Sequence, residues 1–183
     1  MAIERSSLLD VLNIKDPLYS DNFELYFATL PSGVTGTKDL EGLRIQCKTA
    51  SIPGIQNEAQ DIALHGFKIR TAGRTVFTNT LSVTYLESRT LGIQRTLKNW
   101  VNSVRDFRTQ KSVGKQQYTT TGELVIYDET GKKITSIWLW NCFCAEIQDV
   151  NMDGSSANIT EISATFNYDF ADESNSTTGS SMH

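Results

Sequence analysis

Three cysteines, two histidines and three prolines are all that 183 residues contain, and each scarcity removes a class of function. Cys47, Cys142 and Cys144 cannot make a disulfide framework. Cys142 and Cys144 lie two apart in a strand-like run, closer than the hairpin spacing of a zinc site and with no second ligand pair. They read as buried free thiols. The histidines are His65 and the terminal His183, and no Ser or Cys stands at a recognisable spacing from His65, so a Ser-His-Asp or Cys-His arrangement is poorly supported and His65 reads as a surface or loop residue. Asp128, Glu129, Asp149 and Asp153 sit at turn positions, where acidic residues are favoured for backbone reasons rather than for acid–base work. No glycine-rich loop links a strand to a helix to cradle phosphate. The net charge is −4 and no Lys/Arg cluster stands out, which disfavours tight binding to DNA or RNA. No apolar run is long enough to span a bilayer. The start, MAIERSSLLDVL, carries Glu4 and Asp10 and lacks a signal peptide's apolar core. The expectation is a non-enzymatic protein with no cofactor, metal or membrane anchor, made and kept in a reducing cytoplasm.

What the chain does have is one long strand running into one helix, Thr75 to Phe107. Phe77, Leu81, Val83 and Tyr85 alternate with Thr78, Thr80, Ser82 and Thr84, the period of a strand with one buried face. Ile93, Leu97, Trp100, Val101, Val104 and Phe107 then recur every three or four residues, an apolar helical stripe facing a core. Ser88 or Thr90 is the expected N-cap. At 39% hydrophobic and 21% charged, the chain has the balance of a single globular domain.

Taken in order, residues 1–16 form an N-terminal arm with a short apolar cluster that includes Leu8 and Leu12, ended by Pro17. Phe23, Leu25 and Phe27 mark a first strand, and residues 30–42 a Gly-rich loop. Leu43 to Thr49 reads as a second strand, with Leu43, Ile45 and Cys47 on one face, leaving at Pro53-Gly54. Ile62, Leu64, Phe67 and Ile69 suggest a hairpin projecting from the body. Strands follow at 118–127, 134–150 and 157–170. In the middle one, Ile137, Leu139, Phe143, Ala145 and Ile147 oppose Trp138, Trp140, Cys142 and Cys144. The tryptophan pair reads as core or subunit interface. Residues 171–183, rich in Ser and Thr, read as a mobile tail. The β-domain therefore spans 17–170, a mainly β sandwich or small barrel with one flanking helix.

Two strands carry uncharged polar faces: Thr78, Thr80, Ser82 and Thr84 on one, and Ser163, Thr165 and Asn167 with Glu161 and Asp169 on the other. Such a surface suits a lining past which a polyanion slides. On pattern alone an ordinary solvent-facing sheet fits equally well.

Several stretches, in order, resemble the tail tube proteins of contractile-tailed bacteriophages. They are Asp21-Asn22-Phe23-Glu24-Leu25, the run from Ile45 to Gly54, and the Thr-rich strand, Arg89 and Trp-bearing helix of Leu81 to Trp100. The strand Ile137 to Ile147 and the Thr-rich closing strand ending near Tyr168 complete the set. The resemblance implies a structural protein, related to type VI secretion tube proteins, that forms a homohexameric ring by joining sheets into one β-barrel. Rings stack into a hollow tube inside a contractile sheath, and DNA passes through without specific binding. On this resemblance the virion partners are the protein itself, a sheath protein, baseplate proteins and a tape-measure protein. Thr78, Thr80, Ser82, Thr84, Glu161, Ser163, Thr165, Asn167 and Asp169 would line the lumen. Leu8, Leu12, Ile62, Leu64, Phe67 and Ile69 would make ring-to-ring contacts, and the helix would face the sheath. A tube of a phage-derived injection machine, or a tube initiator of the baseplate, would share the pattern. From another class, a monomeric β-barrel binding module is the alternative, although the basic residues of a single-strand binder are missing.

Overall fold

The strand that opens the fold and the strands that complete it belong to one rolled sheet. A computed structural model describes residues 18–34, 38–106, 108–150, 152, 155 and 158–175. The expected arm 1–16, with Leu8 and Leu12, the stripe residue Phe107 and the chain after 175 lie outside the described residues. In chain order the elements are β1 (Phe23–Phe27), α1 (Leu40–Ile45), β2 (Cys47–Ala50), β3 (Ile55–Leu64), β4 (Phe67–Phe77) and β5 (Thr80–Leu86). Next come α2 (Gly92–Val104), the single turn α3 (Lys115–Tyr118), β6 (Thr120–Tyr127), β7 (Lys133–Ile147), β8 (Glu161–Asn167) and β9 (Phe170–Asn175).

Seven strands form a sheet of order β1-β6-β7-β8-β5-β2, in which β9 continues the β8 path along β7. Its outer strands β1 and β2 meet without a hydrogen-bonded ladder, so the sheet is a barrel with one open seam. Helix α2 packs into this barrel. Ile93, Leu97 and Trp100 are fully buried, Val101 packs against the core, and Val104 is half-buried. Trp100 is the hub. Its ring meets Phe27 edge-on at 5.2 Å and Phe166 at 5.6 Å, and its Nε1 donates to the Tyr118 carbonyl at 2.8 Å. A buried indole keeps its polar handle satisfied in this way.

Five expectations change. Leu43 to Ile45 is the end of a helix rather than the start of a strand. Asp39 accepts from the Gly42 N–H and caps α1, and its turn buries Leu43 completely while leaving Ile45 62% exposed. Three alternating apolar residues are too short a run to separate the two periods. The long central strand is two strands, because Asn79 takes a left-handed backbone (φ 58°) and its side chain donates to the Tyr168 and Asp169 carbonyls. Asparagine adopts this region more readily than other non-glycine residues. The expected cap at Ser88 or Thr90 is replaced by Glu87, which accepts from the Ile93 and Gln94 N–H groups, while Ser88 and Thr90 pair with each other. Strand β7 changes phase at Asn141 (φ 53°), so Cys142 and Cys144 share the buried face of Ile137 and Leu139 instead of the tryptophans' face. Finally, β9 takes in the first five residues of the expected tail, 171–175, and pairs them with β7.

Candidate functional site

The described surface offers a polar row, a projecting arm and a set of free strand edges. The row is built by register. Thr80 stands opposite Asn167, Ser82 opposite Thr165, and Thr84 opposite Ser163, while Leu81–Phe166, Val83–Ala164 and Tyr85–Ile162 fill the core between them. Opposed residues of an antiparallel pair point the same way, so β5 and β8 put every core residue inside and every Ser, Thr or Asn outside. Thr80 and Ser82 are exposed; Thr84, Ser163, Thr165 and Asn167 are half-buried. Thr49 of β2 faces Thr84, and exposed Glu146 of β7 faces Thr165, which widens the row to four strands.

The row's ends carry charges that are matched. Glu161 pairs with Lys48 at 2.6 Å, and Asp169 pairs with Lys115. Lys115 and Asn141 hold the Asp169 carboxyl below the usual range. Asp169 lies beyond β8 at the junction with β9, and Thr78 lies before β5, where its hydroxyl meets that of Tyr168 at 3.1 Å. Sequence alternation alone extended the row to these two residues, whereas Asn79 and the β8–β9 junction interrupt it. Glu146 was missed because the β7 phase change at Asn141 is invisible to a simple period of two.

The arm is the β3–β4 hairpin, which stands as a separate two-stranded sheet. Its turn is His65-Gly66, with both residues at positive φ (49° and 83°), the handedness that suits a two-residue hairpin. Ile62 faces Ile69 and Leu64 faces Phe67, so the four apolar residues gather on one side of the tip, 46–74% exposed. The other side carries Asp61 bound to Lys68 and Arg70. These two cations hold the Asp61 carboxyl below its ordinary range. This is an amphipathic ribbon whose apolar side the described residues leave uncovered.

Free edges complete the picture. Pairing of β6 with β7 stops at Cys142, so one edge of β7 from Phe143 onward is unpaired, as is the outer edge of β2. The four-stranded patch β7-β8-β5-β2 bearing the polar row thus ends in an open edge on each side. Trp140, 41% exposed, stacks on Phe170 with ring centroids 5.9 Å apart. An apolar cleft lined by Leu18, Tyr19, Phe23, Ala50, Ile52 and Ile126 lies along the barrel seam.

Catalytic geometry is not what these surfaces provide. His65 sits at the hairpin tip, far along the chain from any element of the barrel. Among the described residues no three His, Cys, Asp or Glu side chains gather to hold a metal. The thiols of Cys142 and Cys144 are buried, that of Cys47 half-buried, and burial pushes Cys47 and Cys144 up to about 12. The thiolate needed for nucleophilic or metal chemistry is therefore suppressed at neutral pH. Among the described residues no helix is long and apolar enough to cross a membrane.

Chains from contractile injection system and anti-feeding prophage structures share this shape. A chain in the extended-state sheath/tube terminator of an extracellular contractile injection system (PVC) superposes with a TM-score of 0.63 at 12% identity, over 88% of this chain and 99% of that one. A chain of the anti-feeding prophage tube-terminating cap gives 0.63 at 13%, over 96% and 100%. One from the anti-feeding prophage baseplate gives 0.61 at 14%, over 90% and 100%. At such identities the likeness establishes the fold. No curated protein sequence matches the chain. The family model described as phage tail tube protein matches residues 18–170, which take in β1 to β8 with the helix and the arm. The chain therefore belongs to the phage tail tube protein family, as a structural subunit of a tail tube.

Proposed function

We propose that copies of this protein join into sixfold rings, and that the rings stack into a hollow tube with the polar row lining its channel. The observation that carries the reading is the β7-β8-β5-β2 patch, a sheet with a hydrated, mostly uncharged outer face and an open edge on each side. Open edges invite main-chain pairing, and closing a circle of such patches removes every edge at once. Thr80, Ser82, Thr84, Ser163, Thr165 and Asn167 then face the channel. Glu161 and Asp169 stand at its margins, already paired with lysines. The lining presents hydroxyls and amides with few uncompensated charges, Glu146 among them, so a DNA polyanion finds no cationic grip there. The apolar side of the arm, Ile62, Leu64, Phe67 and Ile69, is the ring-to-ring contact.

Outside the channel the tube meets a contractile sheath, at one end a baseplate, and within the channel a tape-measure protein and then DNA. The sheath–tube and baseplate structures that share this fold support the first two partners. Those relatives come from injection systems, so the same tube serves either a virion tail or a phage-derived machine. Negative-stain electron microscopy of the purified protein, fresh and concentrated, tests the reading beside its mass in solution. Sixfold rings or hollow stacks are expected. A persistent monomer that also fails to assemble onto preformed tube ends would overturn it.

A further inference from the structure

The charge of this chain is unevenly divided along its sequence. Residues 88–122 hold seven of the 17 basic residues and only one of the 21 acidic ones, a net +6 that leaves −10 on the rest of the chain. No run of consecutive basic residues betrays this, because the cations are spaced for a helix. Arg95 and Lys98 lie one turn apart on the solvent side of α2, exposed, with Ile93, Leu97 and Trp100 filling the opposite side. Beyond the helix the chain doubles back through an Arg105–Ser112 bridge and the Asp106 N–H to Lys111 carbonyl bond, which brings exposed Arg105 and Lys111 to the end of the same surface. A shallow recess bordered by Asn99, Asn102, Ser103, Asp106 and Lys111 lies beside them, the Asp106 carboxylate accepting from the Arg108 and Thr109 N–H groups.

Of these cations Arg105 has a local structural role, its Nε donating to the Gln110 carbonyl at 3.2 Å. Helix α2 contains no acidic residue, so Arg95 and Lys98 lack the partner at three or four residues that steadies an exposed helix, and they repel each other. Among the described residues no carboxylate pairs with Arg89, Arg95, Lys98 or Lys111, although the paired lysines elsewhere show that carboxylates are at hand. The direction of the strip is set by the core. Trp100 meets Phe166, which points inward from β8, whereas Thr165 and Asn167 point outward, so α2 and the polar row lie on opposite faces of that strand.

We propose that Arg95, Lys98, Arg105 and Lys111 form a docking strip for a carboxylate-rich face of the protein that encloses the tube. The inference rests on the tube reading, which turns the strip outward. At 1.5 Å per residue α2 spans about 20 Å, a match for a single acidic helix or tail. A longer polyanion such as duplex DNA would run past the strip onto a surface of net −10 and be repelled. Charge pairing of this kind sets recognition and association rate, and it weakens with salt.

The test measures binding of a labelled oligoglutamate peptide, and of a DNA duplex of equal charge, to the wild type and to R95E/K98E/K111E. Low and high salt are compared, with ring and tube formation scored in parallel by electron microscopy. The expected result is peptide binding that falls about tenfold in the variant and at high salt, with rings unchanged. Equal peptide binding by wild type and variant overturns the proposal, as does tighter binding of DNA than of peptide. If the variant alone loses rings, the strip belongs to subunit joining and the proposal fails. If neither protein forms rings or adds to preformed tube ends, the tube reading fails instead. The milder R95Q/K98Q/K111Q variant gives the same readout should charge reversal impair folding.

Discussion

At the scale of single residues, two side chains hold α2 in place by different means. Trp100 has no exposure and touches rings from β1 and β8 while bonding the Tyr118 carbonyl, so it ties three parts of the chain together. Trp100→Ala is expected to cost about 3–5 kcal/mol in urea unfolding, through lost burial and the cavity left behind. Glu87 acts on the backbone instead, satisfying N–H groups at the start of α2 that have no helical partner. Glu87→Ala is expected to cost about 1 kcal/mol and to leave the core spectra unchanged. The first role was legible from the three-and-four spacing around Trp100. The second was not, since capping was sought in hydroxyl residues adjoining the helix. Leu91 has a left-handed backbone (φ 53°) that folds the chain so Glu87 reaches past them.

At the scale of elements, regular alternation translated well and its interruptions did not. Strands β1, β5 and β8 emerge where side chains alternate, because each buries one face of a single sheet. Asn79 and Asn141 each reset the phase with one positive φ, a change that leaves the hydropathy pattern intact. Only the backbone can reveal them. The arm is the clearest case of correct local reading, since Ile62, Leu64, Phe67 and Ile69 align by register on one side of its tip. Replacing Ile62 and Ile69 with Asp is expected to leave the melting temperature of the free subunit nearly unchanged, because exposed positions contribute within about 0.5 kcal/mol. Stacks are expected to be lost while single rings remain, as counted in micrographs.

At the scale of the whole molecule, stability is expected to form a plateau in pH bounded by two sets of groups. Burial raises the Cys47 and Cys144 thiols to about 12 in the folded chain, against roughly 8.5 when unfolded. Folding thus favours the protonated thiol, and this contribution is complete below about pH 8.5 and disappears as pH climbs toward the folded values. Asp106, Asp128 and Asp169 are shifted the other way: backbone donors act on Asp106, Thr130 and the Lys132 N–H on Asp128, and Lys115 and Asn141 on Asp169. Their contribution is present above about pH 4 and is lost as pH falls through their lowered folded values. Urea midpoints recorded across pH should fall at both ends, and Cys47→Ala should flatten the alkaline side. The mainly β architecture was legible in the sequence. The seam between β1 and β2 was not, because it arises from strands far apart in the chain.

The arm has a kinetic consequence. A two-stranded ribbon on its own is marginal in water, and no other element packs extensively against β3 and β4. On the proposed stacking of rings, much of what finally holds the ribbon rigid comes from the copy it lands on. Assembly is then expected to resemble crystal growth, with a lag phase, a threshold concentration and elongation only from an end already built. A short preformed tube should erase the lag in a light-scattering trace.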